Sequence, residues 1–105
     1  MNWRNIISYE DIMTYSKERG CNFFNEDRVK EHKTELFKTF IKTENIILMK
    51  LRELENISGR LTGKCIFRVC SMKPDGKVEI ENNFKNKKEL QIYYNNKKDE
   101  IKNKN

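Results

Sequence analysis

Apolar and polar residues alternate most regularly between Leu61 and Glu81. Cys65, Phe67 and Val69 fall on one side of a period of two, and Ile66, Arg68 and Cys70 on the other, which is the spacing of a β-strand. Lys73-Pro74-Asp75-Gly76-Lys77 then carries turn chemistry: proline fixes φ at the first corner, and glycine accepts the positive φ of the return. Val78 and Ile80 resume the alternation against Lys77, Glu79 and Glu81. The pattern predicts an antiparallel hairpin over 62–82. Cys65, Phe67, Val69, Val78 and Ile80 would share its core face, and Arg68 would lie beside Glu79 or Glu81 on the other. A lone hairpin is marginal in water, so a third strand or covering helices must complete it.

Helical spacing dominates elsewhere. Ser8 is a good N-cap with Asp11 three residues on, and Ile7 with Ile12 fits a hydrophobic staple. Ile12 and Tyr15, with Met13, would be the buried stripe, and Gly20 is placed to end the helix. Trp3 precedes it as a core plug or, alternatively, a surface anchor for a partner. Phe23 and Phe24 form an aromatic connector. Asn25 caps a second helix from Glu26 to about Lys33, with Glu26 and Asp27 in its first turn. Residues 36–44 fit either a helical stripe or an edge strand, and strand is the reading adopted. Asn45 to Asn56 is rich in helix formers and places Ile47, Leu48, Leu51 and Leu54 near one face; it is read as a helix stopped by Ser58-Gly59, with a strand as the alternative. Asn86 caps a C-terminal amphipathic helix through Leu90, Tyr93, Tyr94, Lys97 and Ile101, and Lys102 to Asn105 should fray. The expected fold is α+β: a small antiparallel sheet of about three strands, with the central hairpin 62–82, packed with short helices and the C-terminal helix. Residues 1–101 form one domain.

Composition adds charge to this picture. The 105 residues are 36% apolar and 36% charged, with a net charge of +6. A single modest core is all that such a chain supports. Residues 1–59 hold ten basic and ten acidic side chains, whereas 60–105 hold twelve basic and six acidic. The excess therefore lies in the hairpin and the tail, where it suits an anionic partner, although a solvated lysine-rich surface has the same composition. No apolar run approaches a membrane span, and the N-terminus lacks the apolar stretch of a signal peptide. A cytoplasmic location in a bacterial host cell is expected. Three cysteines are an odd count, which argues for free thiols.

Several segments together resemble a family of short phage- and prophage-encoded proteins of uncharacterised function. They are Trp3-Arg4-Asn5-Ile6 with Ser8 to Thr14, Asn22-Phe23-Phe24-Asn25, Phe40 to Glu44, and Ile66-Phe67-Arg68-Val69 before Asp75 to Glu79. The chain departs from the family's Tyr-Thr-Val-Arg strand at Ile66 to Val69, and Ile46 to Gly59 has no counterpart. The resemblance implies a mobile-element origin and a small α+β fold, and it brings no catalytic residues.

No constellation carries recognisable catalytic chemistry. Cys65 and Cys70 are not a CxxC pair, and Cys21 with His32 completes no zinc spacing. No phosphate-loop, dinucleotide or zinc-protease motif is present. Glu10-Asp11 and Glu26-Asp27 sit where helix capping explains them. Neither a metal nor a cofactor is expected, and no catalytic residue is assigned. The candidate partner-binding residues are Arg60, Lys64, Arg68, Lys73 and Lys77 on the hairpin's outward face. Lys85, Lys87, Lys88, Lys97 and Lys98 join them beside or on the last helix, where Tyr93 and Tyr94 could stack on bases. The leading expectation is a non-enzymatic interaction protein that inhibits or modulates a host defence complex of the CRISPR-nuclease kind, bound through a host protein or ribonucleoprotein. A basic RNA- or DNA-binding regulator is the alternative, with a small nuclease or cysteine-dependent enzyme behind both. Oligomeric state is not readable from the sequence.

Overall fold

A long strand covered on both faces organises the molecule. The computed structural model describes residues 1–103. After a short 3-10 turn at Trp3–Asn5 come α1 (Tyr9–Glu18) and α2 (Glu26–His32). The strands β1 (Glu35–Leu36), β2 (Ile41–Lys42), β3 (Ile47–Ile57), β4 (Arg60–Met72) and β5 (Val78–Phe84) follow, and α3 (Lys87–Asn103) closes the chain. The class is α+β, as expected, with five strands in the sheet rather than about three. The order is β1-β3-β4-β5, all antiparallel, with β2 also pairing with β3. Leu36 lies opposite Leu51 and Ile41 opposite Leu48, so β1 and β2 are two pieces of one interrupted edge. The strand reading of 36–44 therefore holds at Leu36 and at Ile41–Lys42, and residues 37–40 and 43–44 lie outside the strands.

The helix expected at 45–56 is instead the central strand β3. Ile47, Met49 and Leu51 point to one side, and Leu48 and Lys50 to the other, and all five are buried. A run buried on both faces loses its period of two, so it cannot be told from a buried helix by pattern alone. Ser58 and Gly59 do not stop a helix. With φ of 52° and 81° they make the two-residue return between β3 and β4, the backbone that such hairpins favour. Asn56 Oδ1 accepts the Gly59 N–H at 2.8 Å and holds the return.

The second hairpin is correctly located, but its faces are not those expected. Its turn pairs Met72 with Val78 and Cys70 with Ile80, so Val78 shares a side with Cys70 rather than Val69. The register then shifts between Val69, opposite Asn82, and Cys70, leaving Glu81 as the extra residue of a bulge. Val69 lies on the opposite face, beneath α3.

Two cores result. On the first face Ile47, Met49, Leu51, Cys70 and Met72 meet Ile6, Ile12, Tyr15 and Phe24 from the N-terminal segments. On the second, Leu48 and Val69 meet Leu90 and Tyr94 of α3. Ser8 and Asp11 form a reciprocal capping box at α1. Ile7 is 84% exposed, so the expected staple with Ile12 is absent; Ile6, not Ile7, is buried with Ile12 in the core. Asn25 and Asn86 cap the other two helices, through the N–H groups of Arg28 and Glu89. α3 runs on through Lys102 and Asn103; of the tail expected to fray, residues 104 and 105 lie outside the described residues.

The turn between β4 and β5 is clasped by α1. The Tyr15 hydroxyl donates to the Pro74 carbonyl, and Ser16 Oγ donates to the Gly76 carbonyl at 2.8 Å. Arg19 lies 3.4 Å from the centroid of the Tyr15 ring. Trp3 is half-buried, edge-on to Tyr15, and donates its indole N–H to the Thr43 carbonyl at 3.0 Å, which favours the plug over the surface anchor.

Candidate functional site

The hairpin cations do not make one patch. Arg60 begins β4 and Lys73 follows its last residue. At about 3.3 Å per residue the two are roughly 40 Å apart. Arg60 and Lys64 therefore belong to the β3–β4 end, and Lys73 and Lys77 to the turn held by α1. All four are exposed.

Arg68 is engaged inside the fold. Its Nε donates to Glu53 Oε1 at 2.6 Å, and Arg28 Nη2 reaches the same oxygen at 2.9 Å. Thr34 Oγ1 donates to Glu53 Oε2 at 2.7 Å, and Arg68 also donates to Asn83 Oδ1. The side chain of Glu53 has no exposed surface. Burial alone would raise its carboxyl, but the Thr34 hydroxyl and the two guanidinium groups outweigh it and hold the group below its ordinary range. This network joins α2 and the α2–β1 connection to β3 and β4. The sequence shows Glu53 as one more acidic position; only the strand register places it in line behind Ile47, Met49 and Leu51.

The second face carries the complementary case. Lys50 follows Leu48 along β3 and is only 5% exposed. Its Nζ donates to Gln91 Oε1 at 3.1 Å and sits 4.4 Å from the Tyr94 ring centroid and 5.4 Å from that of Phe37. Among the described residues it makes no ion pair. Burial, then the nearby charges of Lys87 and Lys98, push its ammonium below its ordinary value. A groove of about 560 Å³ opens over this point, lined by Phe37, Lys38, Arg52, Phe67, Lys87 and Gln91 besides Lys50. The one carboxylate of its lining, Glu35, is paired with Arg52 at 2.6 Å. A second depression of about 400 Å³ shares Phe67 and is lined by Glu55, Lys64, Cys65 and Lys85.

Several expected residues thus converge on the second face: Lys87 in the groove, Lys98 near Lys50, and Lys64 with Lys85 around Phe67. Lys88 is exposed on the first turn of α3. Tyr94 is buried, its phenol pushed up to about 12, and is not free to stack on a base. Tyr93 is half-buried, with its ring centroid 5.3 Å from that of Phe84 and 5.9 Å from Lys97 Nζ. Lys38, Lys50, Arg52 and Phe37 are not among the expected site residues, and Phe67 is expected only on the hairpin's core face. The strand period of Lys50 and Arg52 would have found two of them, had 47–57 been read as a strand.

Cys65 is exposed and Cys70 buried, its thiol pushed up to about 12 chiefly by burial. Cys21 is half-buried; burial would raise its thiol, but hydrogen bonds from Ser16 and from the backbone of Phe23 and Val78 bring it below its ordinary value. No group of three or more metal-ligating side chains is assembled among the described residues. No helix among them is long and apolar enough to cross a membrane.

Fold and groove together define an α+β protein whose antiparallel sheet carries a basic depression beside its C-terminal helix. Comparisons with family models, with curated proteins and with solved structures find no match to this chain.

Proposed function

We propose that the chain is a non-enzymatic interaction protein that binds an anionic partner through the second face of its sheet. The observation that carries this reading is the groove lined by Lys38, Lys50, Arg52 and Lys87 against the single acid Glu35. Like-signed groups gathered around a concave surface focus potential and attract the opposite charge. The resemblance of the sequence to short phage and prophage proteins supports the setting: a mobile element acting on a host defence complex, which the chain inhibits or modulates by occupying it. The partner is then a host protein with an acidic surface, or RNA or DNA within a ribonucleoprotein. The reading requires no cofactor.

The test is retention of a bacterial defence complex by the tagged chain. Binding should weaken as salt rises, and the added chain should lower the nuclease activity of the retained complex. Retention indifferent to salt, or a complex whose activity is unchanged at saturation, would overturn the reading.

A further inference from the structure

The two faces of β3 treat charge differently. Glu53 on the first face is buried with two arginines and a threonine hydroxyl on its oxygens. Lys50 on the second is buried with one neutral amide and two aromatic rings. A buried charge without a counter-charge is costly, and removing it in favour of an apolar side chain is often neutral or stabilising. Lys87 adds to the cost rather than relieving it, since it approaches the same Phe37 ring at 5.4 Å. An anion entering the groove would meet both ammonium groups, while Gln91 keeps its Oε1 on Lys50 and its Nε2 on Asn95 Oδ1. Phe67 stands at the junction of the groove with the second depression, where Lys64 and Lys85 outnumber the one acid, Glu55, whose Oε1 accepts from the Thr62 hydroxyl at 3.1 Å.

We infer that the groove is a phosphate-binding site for single-stranded nucleic acid, with Lys50 and Lys87 holding one backbone phosphate and Phe67 offering its ring to a neighbouring base. The inference rests on the proposed function and narrows its partner from an anion to a nucleic acid. Three features select this occupant. The lysines sit among aromatic rings, the pairing of backbone cation and stacking platform that single strands use. The lining stays net positive past Phe67, with Lys64 and Lys85 against Glu55 in the second depression, as a repeating chain of phosphates requires. A depression of about 560 Å³ takes a nucleotide, not a duplex. Lys50 is then a group whose charge is kept at a cost to the free fold and is met by the ligand.

The experiment is a salt titration of binding to a fluorescein-labelled oligothymidylate and a labelled oligouridylate, by anisotropy, with the intact chain and three variants. Lys50→Met and Lys87→Gln should each weaken binding roughly tenfold to a hundredfold. If they share one phosphate, either change should also lower the slope of log affinity against log salt by up to about 0.7. Lys73→Gln, at the clasped turn, should leave both unchanged. Lys50→Met should also keep or raise the melting temperature, whereas a purely structural lysine would lower it. Lys87→Gln, at an exposed position, serves if Lys50→Met does not fold. Binding unaffected by the Lys50 and Lys87 changes would overturn the groove as the site and leave an anionic partner standing. No binding by the intact chain would overturn the nucleic-acid assignment; a salt-sensitive partner that survives nuclease treatment would then keep the broader reading. Uridine monophosphate or inorganic phosphate bound as tightly as the oligonucleotides would overturn the single strand in favour of a small phosphate ligand.

Discussion

Arg68 Nε lies 2.6 Å from Glu53 Oε1, so a cation from the exposed-looking hairpin is committed to the interior. Glu53 is the hub, since Arg28 and Thr34 meet it as well. Replacing Glu53 with alanine strands two guanidinium groups that are mostly buried, with side-chain exposures of 15% and 25%. Breaking such a buried pair costs about 3–5 kcal/mol. Chemical denaturation of Glu53→Ala should show a loss of that order; a loss below about 1 kcal/mol, the worth of a surface pair, would mean that the network is solvated.

The same carboxylate sets an acid limit. Its folded value lies below the ordinary 4.5, so the folded state favours the ionised form. The stability this contributes is present in full above the unfolded value and is lost as pH falls through the folded one. Melting temperatures should therefore drop below about pH 4.5 along a limb that is shallower in Glu53→Gln, whose stability is already reduced at neutral pH. Parallel limbs in the two proteins would assign the acid sensitivity to other carboxylates.

Gly76 is buried in the turn that α1 clasps, with φ of 84°. A Cβ there would lie 2.7 Å from Arg19 Cβ and 2.9 Å from its Cδ. Positive φ alone costs a side chain roughly 1–2 kcal/mol, and the contact with Arg19 adds to it. Gly76→Ala should lower stability by at least that amount. Gly63→Ala shares the positive φ but meets nothing within 4 Å, and should cost less. Equal losses in thermal denaturation would show that the clasp contributes no steric constraint.

The three thiols should separate by reactivity. Thiolate is the reacting species, and Cys70 is both fully buried and pushed up to about 12. Alkylation of the native protein at neutral pH, followed by mass mapping, should mark Cys65 and Cys21 while sparing Cys70. Labelling of Cys70 at a comparable rate would reveal opening of the sheet beneath α1.

Some of this was legible in the sequence because the cues were local. Ser8 with Asp11, Asn25 and Asn86 act over three or four residues and form their caps wherever the helices pack. Pro74-Asp75-Gly76 made its turn for the same reason. The β3 assignment failed because Leu48 and Met49 are buried on opposite faces, which erases the alternation. The facing of Val78 failed because it depends on which residue the turn pairs with Met72, a register that single-strand alternation does not specify. For the site, sequence charge counting found Lys87, Lys98, Lys64 and Lys85 but spread the patch along a strand whose ends lie far apart. Lys50 escaped notice because a lysine inside an apolar run looks like the polar face of a helix. Only pairing with β4, and the placement of α3 above it, turns that side chain inward.

The clasp of α1 on the turn at Pro74 and Gly76 also has a consequence for synthesis. Ser16 and Gly76 are 60 residues apart, and the β3–β4 hairpin between them closes over a two-residue return. At translation rates of about 5–20 residues per second, α1 waits roughly 3–12 seconds for its hydrogen-bond partners to be made. Ribosome-bound chains halted before Pro74 will therefore carry α1 without the carbonyls that receive Tyr15 and Ser16, and protease sensitivity of the first twenty residues should end once the turn has left the exit tunnel.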